Sequence, residues 1–346
     1  MKKILFTALA LLMVTAFATA QSVGKIEVKE TGFGQKKFKK APKRVYISEF
    51  NVNYQMAYSQ TSIARGGREI GGGYRGDAKA SLSVAIPGID PAELQKITDE
   101  IYQEYIEQLK GAGFEIIDPS EAAKTDLMSD WEKMTGGEMS QAQFPGYLAT
   151  TPEGMDYYVR KVTKKGRAKN GIFEYAHKLS KQLGGAVVIK VNVAVPFIEK
   201  AEGGASKALR KAVGGVAKVV VRPNLRLSQM ESVQISKMGS AAVSTASSYM
   251  FMESLKNQAQ LKVDLKKDVQ IGDVFEKKKY KAVESADSDI WGTDAGHLRV
   301  FHFSDREIEK TQPIPCEPKT YLKGVKQVVH EYVRTSLTAF LKASQG

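Results

Sequence analysis

The chain has 346 residues, with 51 lysines and arginines against 38 aspartates and glutamates and a formal net charge of +13. That length supports a real core in one large domain or two ordinary ones, and the surplus of positive charge points to anionic partners. The single cysteine, Cys316, excludes an internal disulfide framework.

Lys2 and Lys3, the apolar run Ile4 to Phe17 and the small residues Ala18, Thr19 and Ala20 read as a cleaved signal peptide over 1–20, which places the mature start at Gln21. The run is shorter than the roughly 20 residues a spanning helix needs, and no later stretch is apolar enough to make one. No cysteine lies near the cleavage site to carry a lipid. Export makes the expected location periplasmic or outer-membrane associated, or secreted. Nucleic acid is then not an expected partner, and the expected polyanions are lipopolysaccharide, acidic glycan and anionic lipid headgroups.

Residues 21–43 are polar, basic and interrupted by glycine, and are expected to form a flexible basic N-terminal extension. At its end, "KKFKKAPKR" concentrates Lys36, Lys37, Lys39, Lys40, Lys43 and Arg44, with smaller clusters at 161–169 and 276–281. Such clusters attract polyanions, although lysines of this kind also simply keep a surface soluble. Order is expected from Arg44 onward: "RVYISEFNVNY" reads as a strand with Tyr46, Phe50, Val52 and Tyr54 on one face, and "ASLSVAIPG" as a second. The glycine-rich "GGREIGGGYRGD" between them (66–77) lacks the lysine of a phosphate loop, and a strand follows it where a dinucleotide fingerprint requires a helix. Its Arg-Gly-Asp triplet is a short match that chance supplies. The segment is read as a long, flexible hairpin connection between the strands at 44–54 and 78–86. Its Arg68 and Arg75 are expected to touch a partner.

Asp90-Pro91 starts a helix whose Leu94, Ile97, Ile101, Tyr105 and Leu109 form one stripe, ended by Gly111 and Gly113 before the short strand "FEIID". A helix is predicted over about 119–134 and another over 172–183. Gly184-Gly185 then leads into "AVVIKVNVAVPF", where Val187, Ile189, Val191, Val193, Val195 and Phe197 alternate without interruption. Beyond 200, "AKVVVRPNLRLS" reads as a strand with an edge or bulge at Pro223, followed by "LKVDLKKDVQI" and "HLRVFHF". A long helix over about 318–342 closes the chain, with Leu322, Val325, Val329, Tyr332, Leu337 and Phe340 as its core stripe. The fold class is α/β or α+β, a mixed β-sheet flanked by helices with a strand-rich second half. An α/β domain over 44–200 and a second part over 201–346 are expected, or one domain comprising both.

No motif fixes a reaction. His297 and His302 fall on opposite faces of a predicted strand, and His177 and His330 on separate helices, without metal-binding spacing. "HFSD" lacks a nucleophile elbow. The acids Asp99 and Glu100, and Asp287 and Asp289, read as capping or solvated groups, and "SADSDIWGTDAG" (285–296) lacks the residue order of a calcium loop. Met250 and Met252 beside Tyr249 and Phe251 read as core. Cys316, between prolines, reads as a lone loop thiol. These features predict a protein that is not an enzyme and carries no cofactor or metal. The rival expectation is a hydrolase of an envelope polymer, with His302, Asp305, Asp287, Asp289 or Asp294 in its site.

"KRVYISEF", then "ELQKITDEIYQEYIEQLKGAGFEIID", then "FEYAHKLSKQLGGAVVIKVNVAV" follow one plan of strand, long helix to short strand, and helix to hydrophobic strand. Over about 43–118 and 172–197 this resembles the periplasmic α/β domain of the curli-secretion-channel family and related cell-envelope proteins. The resemblance implies a non-catalytic domain that forms a homo-oligomer in the envelope and, in channel members, donates hairpins to an outer-membrane barrel. The lipid-bearing cysteine is absent here. The segments 187–197 and 217–227 have the length of a membrane strand but lack aromatic girdles. The expected function is therefore binding or assembly, with envelope proteins, anionic glycan or lipid headgroups as partners and peripheral membrane contact, and a subunit of a secretion pore as an alternative.

Overall fold

The computed structural model describes residues 21–64, 67–68, 74–75, 78–137, 146–162, 168–169, 175–201, 217–236, 239–282 and 311–345. The chain opens with strand β1 (Val28–Phe33), then β2 (Arg44–Gln55), the hairpin arms β3 (Ala57–Ala64) and β4 (Ala78–Ala85), helix α1 (Pro91–Gly111), strand β5 (Glu115–Ile116) and helix α2 (Pro119–Ala123). Strand β6 (Tyr147–Thr150), helix α3 (Ala176–Gln182) and strand β7 (Val187–Val195) follow. Strands β8 (Met230–Ser236), β9 (Gly239–Ser244), β10 (Ala246–Glu253), β11 (Gln258–Leu265) and β12 (Gln312–Pro313) lead to helix α4 (Pro318–Gln345). Shorter strands lie between them.

β-branched residues dominate β7, and their stiff χ1 favours extended chain. It sits near the middle of a seven-stranded mixed sheet ordered β1-β11-β10-β7-β2-β5, with β6 also pairing β2. β7 runs parallel to β2, which in turn is parallel to β5; the remaining neighbours are antiparallel. The fold is thus a mixed sheet with helices, as the sequence indicates. The sheet draws strands from both sides of residue 200, so the boundary expected there does not separate two sheets.

α1 begins as predicted, with Asp90 accepting a 2.9 Å hydrogen bond from the Ala92 amide and Pro91 in the first turn. Its stripe Leu94, Ile97, Ile101, Tyr105 and Leu109 is buried and shares one large core with Val187, Ile189, Val191, Val193 and Val195 of β7. α4 covers the same core with Tyr321, Val325, Val329, Tyr332, Leu337 and Phe340, whereas Leu322, placed in the stripe by the sequence, is only partly buried. α3 packs a smaller cluster, Leu179 and Leu183 with Tyr46, Val188 and Phe251, from the other strand positions.

Several sequence-based expectations need correction. Residues 21–43 are built into the fold: β1 pairs with β11 from Val28↔Leu265 to Phe33↔Gln260, and Phe38 is 2% exposed. Val23, Ile26, Val28, Phe33 and Phe38 are the large apolar residues of this charged stretch, and an edge strand with one anchoring ring needs few of them. The helix expected over 119–134 ends at Ala123. Thr125 Oγ1 donates to Ala122 O at 2.7 Å and Ser129 Oγ to Asp126 O at 3.2 Å, the local competition by which such side chains favour turns, and Glu132–Thr135 then pairs antiparallel with Asp156–Val159. Tyr46 does not share the face of Phe50, Val52 and Tyr54, because a register irregularity between Ile189 and Lys190 places Ile47 and Glu49 opposite consecutive residues of β7 and reverses the alternation.

The glycine segment is more regular than a simple connection. β3 pairs with β4, and Gly67↔Arg75 and Arg68↔Tyr74 continue the register of Ala64↔Ala78. The partner of β4 is therefore β3, beyond Met56, and not the 44–54 strand. "AKVVVRPNLRLS" is two strands: Val220–Pro223 pairs Ile198–Lys200, with Pro223 at its end, and Arg226–Leu227 pairs Val269–Gln270. The strand "HLRVFHF" and residues 1–20 lie outside the described residues.

Candidate functional site

β1 ends beside Gln260, and Gly34 turns the chain in the left-handed region at φ +62. A Cβ there would sit 2.5 Å from the carbonyl oxygen of Gln258, so both the dihedral and the close approach require glycine. The next six residues, Gln35–Lys40, form a 3-10 helix. Residues three apart stack in such a helix, so the spacing of "QKKFKKA" puts Gln35, Phe38 and Ala41 inward and Lys36, Lys37, Lys39 and Lys40 outward. Phe38 is buried against Phe340 of α4 in an edge-on contact with ring centroids 5.7 Å apart. All four lysines are exposed. The result is a fixed turn that presents lysine head groups to solvent around an apolar anchor.

The remaining contact residues expected from sequence divide differently. The Lys43 ammonium lies 4.4 Å from the centre of the Phe114 ring and donates to the Ser344 carbonyl at 3.5 Å, which ties it to the end of α4. Arg44 donates to both oxygens of Glu121 at 2.8 and 2.9 Å and pairs with Glu115 at 3.3 Å. Hydrogen bonding to Glu121 raises its already high pKa, and two carboxylates match its single charge. Arg44 is therefore removed from the set expected to contact a polyanion and holds β2, β5 and α2 together. Arg68 and Arg75 belong to the far part of the β3–β4 hairpin, beyond the other end of the 12-residue β2, a separation of about 40 Å along that strand alone. They form no single patch with the lysine turn, and their side chains are outside what the structure describes.

A second polar cluster lies on the sheet, on the face of β7 opposite the valine alternation that dominates its sequence. Lys190 is 7% exposed, with its ammonium 3.5 Å from Glu49 Oε1 and 3.9 Å from the centre of the Tyr175 ring. Tyr175 donates to the same Glu49 oxygen at 3.3 Å, and Asn192 donates to the other at 3.1 Å. Asn51 donates to Asn192 Oδ1 at 3.2 Å, and Thr151 donates to Asn51 Oδ1 at 2.7 Å. Both carboxylate oxygens are satisfied beside a buried cation, the arrangement of a structural ion pair rather than of an acid or base poised for transfer. The signal in the sequence is polar residues at every second position of two strands, Lys190 and Asn192 on β7 and Glu49 and Asn51 on β2.

His177 is packed between Phe33 and Phe251, at centroid distances of 5.9 and 5.1 Å, and His330 bridges α4 to Glu104 of α1. Met250 and Met252 are core residues. Cys316 is half-buried, and burial pushes its thiol up to about 11, away from thiolate chemistry at neutral pH. His297, His302, Asp287, Asp289, Asp294 and Asp305 lie outside the described residues. Among the described residues, no group of three or more histidine, cysteine or acidic side chains could hold a metal ion, and no helix is long and apolar enough to cross a membrane.

Fold and surface together define a protein of the α/β or α+β class with a mixed sheet flanked by helices and an ordered lysine-bearing turn at one end. No protein-family model, curated protein or solved structure matches the chain.

Proposed function

We propose that this chain is an exported, non-catalytic protein of the cell envelope that acts by binding anionic polymers or headgroups, with the turn at Lys36, Lys37, Lys39 and Lys40 as the contact. One observation carries the reading: Phe38 is buried in the core while its four lysine neighbours are exposed on a fixed 3-10 turn. Ordering the backbone in advance lowers the conformational entropy lost when a polyanion binds, which a mobile extension would not do. The closed hydrogen bonding of Glu49 and Lys190 accords with a binding role, as does the high pKa of Cys316. The signal-like residues 1–20 support the envelope setting, and the outer face of the envelope offers acidic glycan and lipid phosphate.

The test is retention of the purified protein on immobilised heparin, an acidic glycan, across a salt series. Wild type should elute at raised salt, and K36Q/K37Q/K39Q/K40Q should elute much earlier with an unchanged melting temperature, because exposed charges add little to stability. Unchanged retention of the quadruple variant would overturn the assignment of this turn.

A further inference from the structure

We infer that the lysine turn docks on the surface of an anionic bilayer, with Leu255 entering the headgroup layer; this rests on the polyanion reading above and commits it to lipid. Leu255 is 93% exposed, and a single exposed leucine is by itself ordinary. Its position is what matters. It occupies the tip of the β10–β11 hairpin, where Glu253 pairs Gln258 and the Ser254 amide donates to Asn257 O at 2.8 Å, and exposed Lys256 follows it.

The register brings that tip to the lysine turn. Gln260, two residues into β11, pairs Phe33, and Gly34 then crosses so close to Gln258 that only glycine fits. On the other side, Gly185 lies under both Ser254 and Pro42, the residues just before Leu255 and just after the lysine turn: a Cβ on it would meet Ser254 Cβ at 3.2 Å and Pro42 Cδ at 3.8 Å. Lysines on either side of an apolar tip match the layering of an anionic membrane, with phosphate outside and acyl chain beneath. Phe33, 48% exposed at the end of β1, adds a second apolar group.

The charge at this end has few internal competitors. Glu115 and Glu121 are taken by Arg44, which leaves Glu253, hydrogen-bonded by the neutral Gln258 amide at 3.2 Å, as a negative charge at the tip, set against Lys256 and the four turn lysines. The C-terminal ends of α1, α3 and α4 reach the same end of the sheet: α1 leads into β5 and α3 into β7, while Ser344 of α4 meets Lys43. Lys110, Lys181 and Lys342 stand exposed in their last turns. They answer the helix dipoles and add to the same positive field. A soluble glycan would use the lysines equally well but has no use for Leu255.

The experiment is co-sedimentation of the full protein with vesicles of phosphatidylglycerol and phosphatidylethanolamine, with phosphatidylcholine vesicles and immobilised heparin as controls. Wild type should bind the anionic vesicles and leave the neutral ones. L255S should weaken vesicle binding about tenfold, from loss of one buried leucine, with heparin retention unchanged. K36Q/K37Q/K39Q/K40Q should weaken both, by about fivefold for each charge at the vesicle surface. If L255S binds vesicles as wild type does while the lysine variant loses both ligands, the bilayer inference fails and the polyanion reading stands. If wild type binds neither vesicles nor heparin, both fail.

Discussion

Phe38→Ala tests whether residues 21–43 belong to the fold. Phe38 is 2% exposed, it meets Phe340 edge-on at 5.7 Å, and Phe340 in turn lies 5.5 Å from Phe114, so the ring stands in the main core between the lysine turn and α4. Replacing a buried phenylalanine by alanine costs about 3–5 kcal/mol through lost burial and the cavity left behind, and loss of an edge-on aromatic pair lies within that figure. Where the turn can undock independently, the cost is capped by the free energy that holds it, and the rest of the chain keeps its stability. Urea unfolding followed by far-UV circular dichroism reads the first case, and hydrogen exchange of the β1 and 35–40 amides reads the second. The expected result is a loss of at least about 2 kcal/mol in one measurement or the other. A variant as stable as wild type, with unchanged exchange in these amides, would mean that Phe38 does not anchor the segment, and the flexible extension expected from composition would return.

Lys190→Met leaves the partly buried Glu49 without its ammonium and should destabilise by about 3 kcal/mol, the low end of the cost of breaking a buried pair because Glu49 keeps some access to water, whereas K190M combined with E49Q should recover much of that loss; a double variant no better than the single would refute the coupling. The raised pKa of Cys316, about 11 in the fold, carries a definite sign. The thiol is protonated at neutral pH, so its contribution to stability is full below the ordinary thiol pKa of about 8.5 and is lost as pH rises through 11. Alkylation by iodoacetamide at pH 8 should accordingly be on the order of a hundredfold slower in the native protein than in urea, and equal rates would show that the thiol is not shielded.

The elements legible in the sequence are those with many residues obeying one period. The stripe of α1, from Leu94 to Leu109, and the run of β7 from Val187 to Val195 each place five side chains in a single core, and the boundaries their periods predict match the structure to within a few residues. What escaped depends on contacts remote in sequence. β1 is held by β11, more than 200 residues later, so its own residues need little apolar character. The 119–134 helix failed because Asp118 and Pro119 signal a start but carry no information on length, which Thr125 and Ser129 then limit. At the candidate site the lysines were visible from composition, but the period of three that turns Phe38 inward becomes meaningful only once Phe340 is known to lie behind it. Arg44 looked like its neighbours until folding brought Glu115 and Glu121 to it.

The two ends of β2 give the protein a polarity that separates the lipid-docking reading from the channel-like one. Arg44 begins β2 beside the lysine turn and the Leu255 tip, while Gln55 ends it at β6 and leads straight into the β3–β4 hairpin. A pore subunit would place that hairpin in the bilayer; docking through Leu255 places it away from the bilayer. Side-chain chemistry favours the second orientation. Across β3 and β4, Ser59 faces Ser83 and Thr61 faces Ser81, hydrogen-bonded at 3.0 and 2.9 Å, with Ser59 and Thr61 open to solvent and Ser62, Ser81 and Ser83 half-buried. The other face mixes Gln60 and Ser62 with Tyr58, Leu82 and Val84. A lipid-facing strand needs an apolar face about 25 Å tall, and neither face supplies one without interruption, so the hairpin is better suited to meeting a polar partner or a second copy of the chain. Spin labels introduced at Ser59 and at Lys256 distinguish the orientations directly: with anionic vesicles, a lipid-soluble relaxer should reach the label at 256 and not the one at 59, and the opposite pattern would favour insertion of the hairpin.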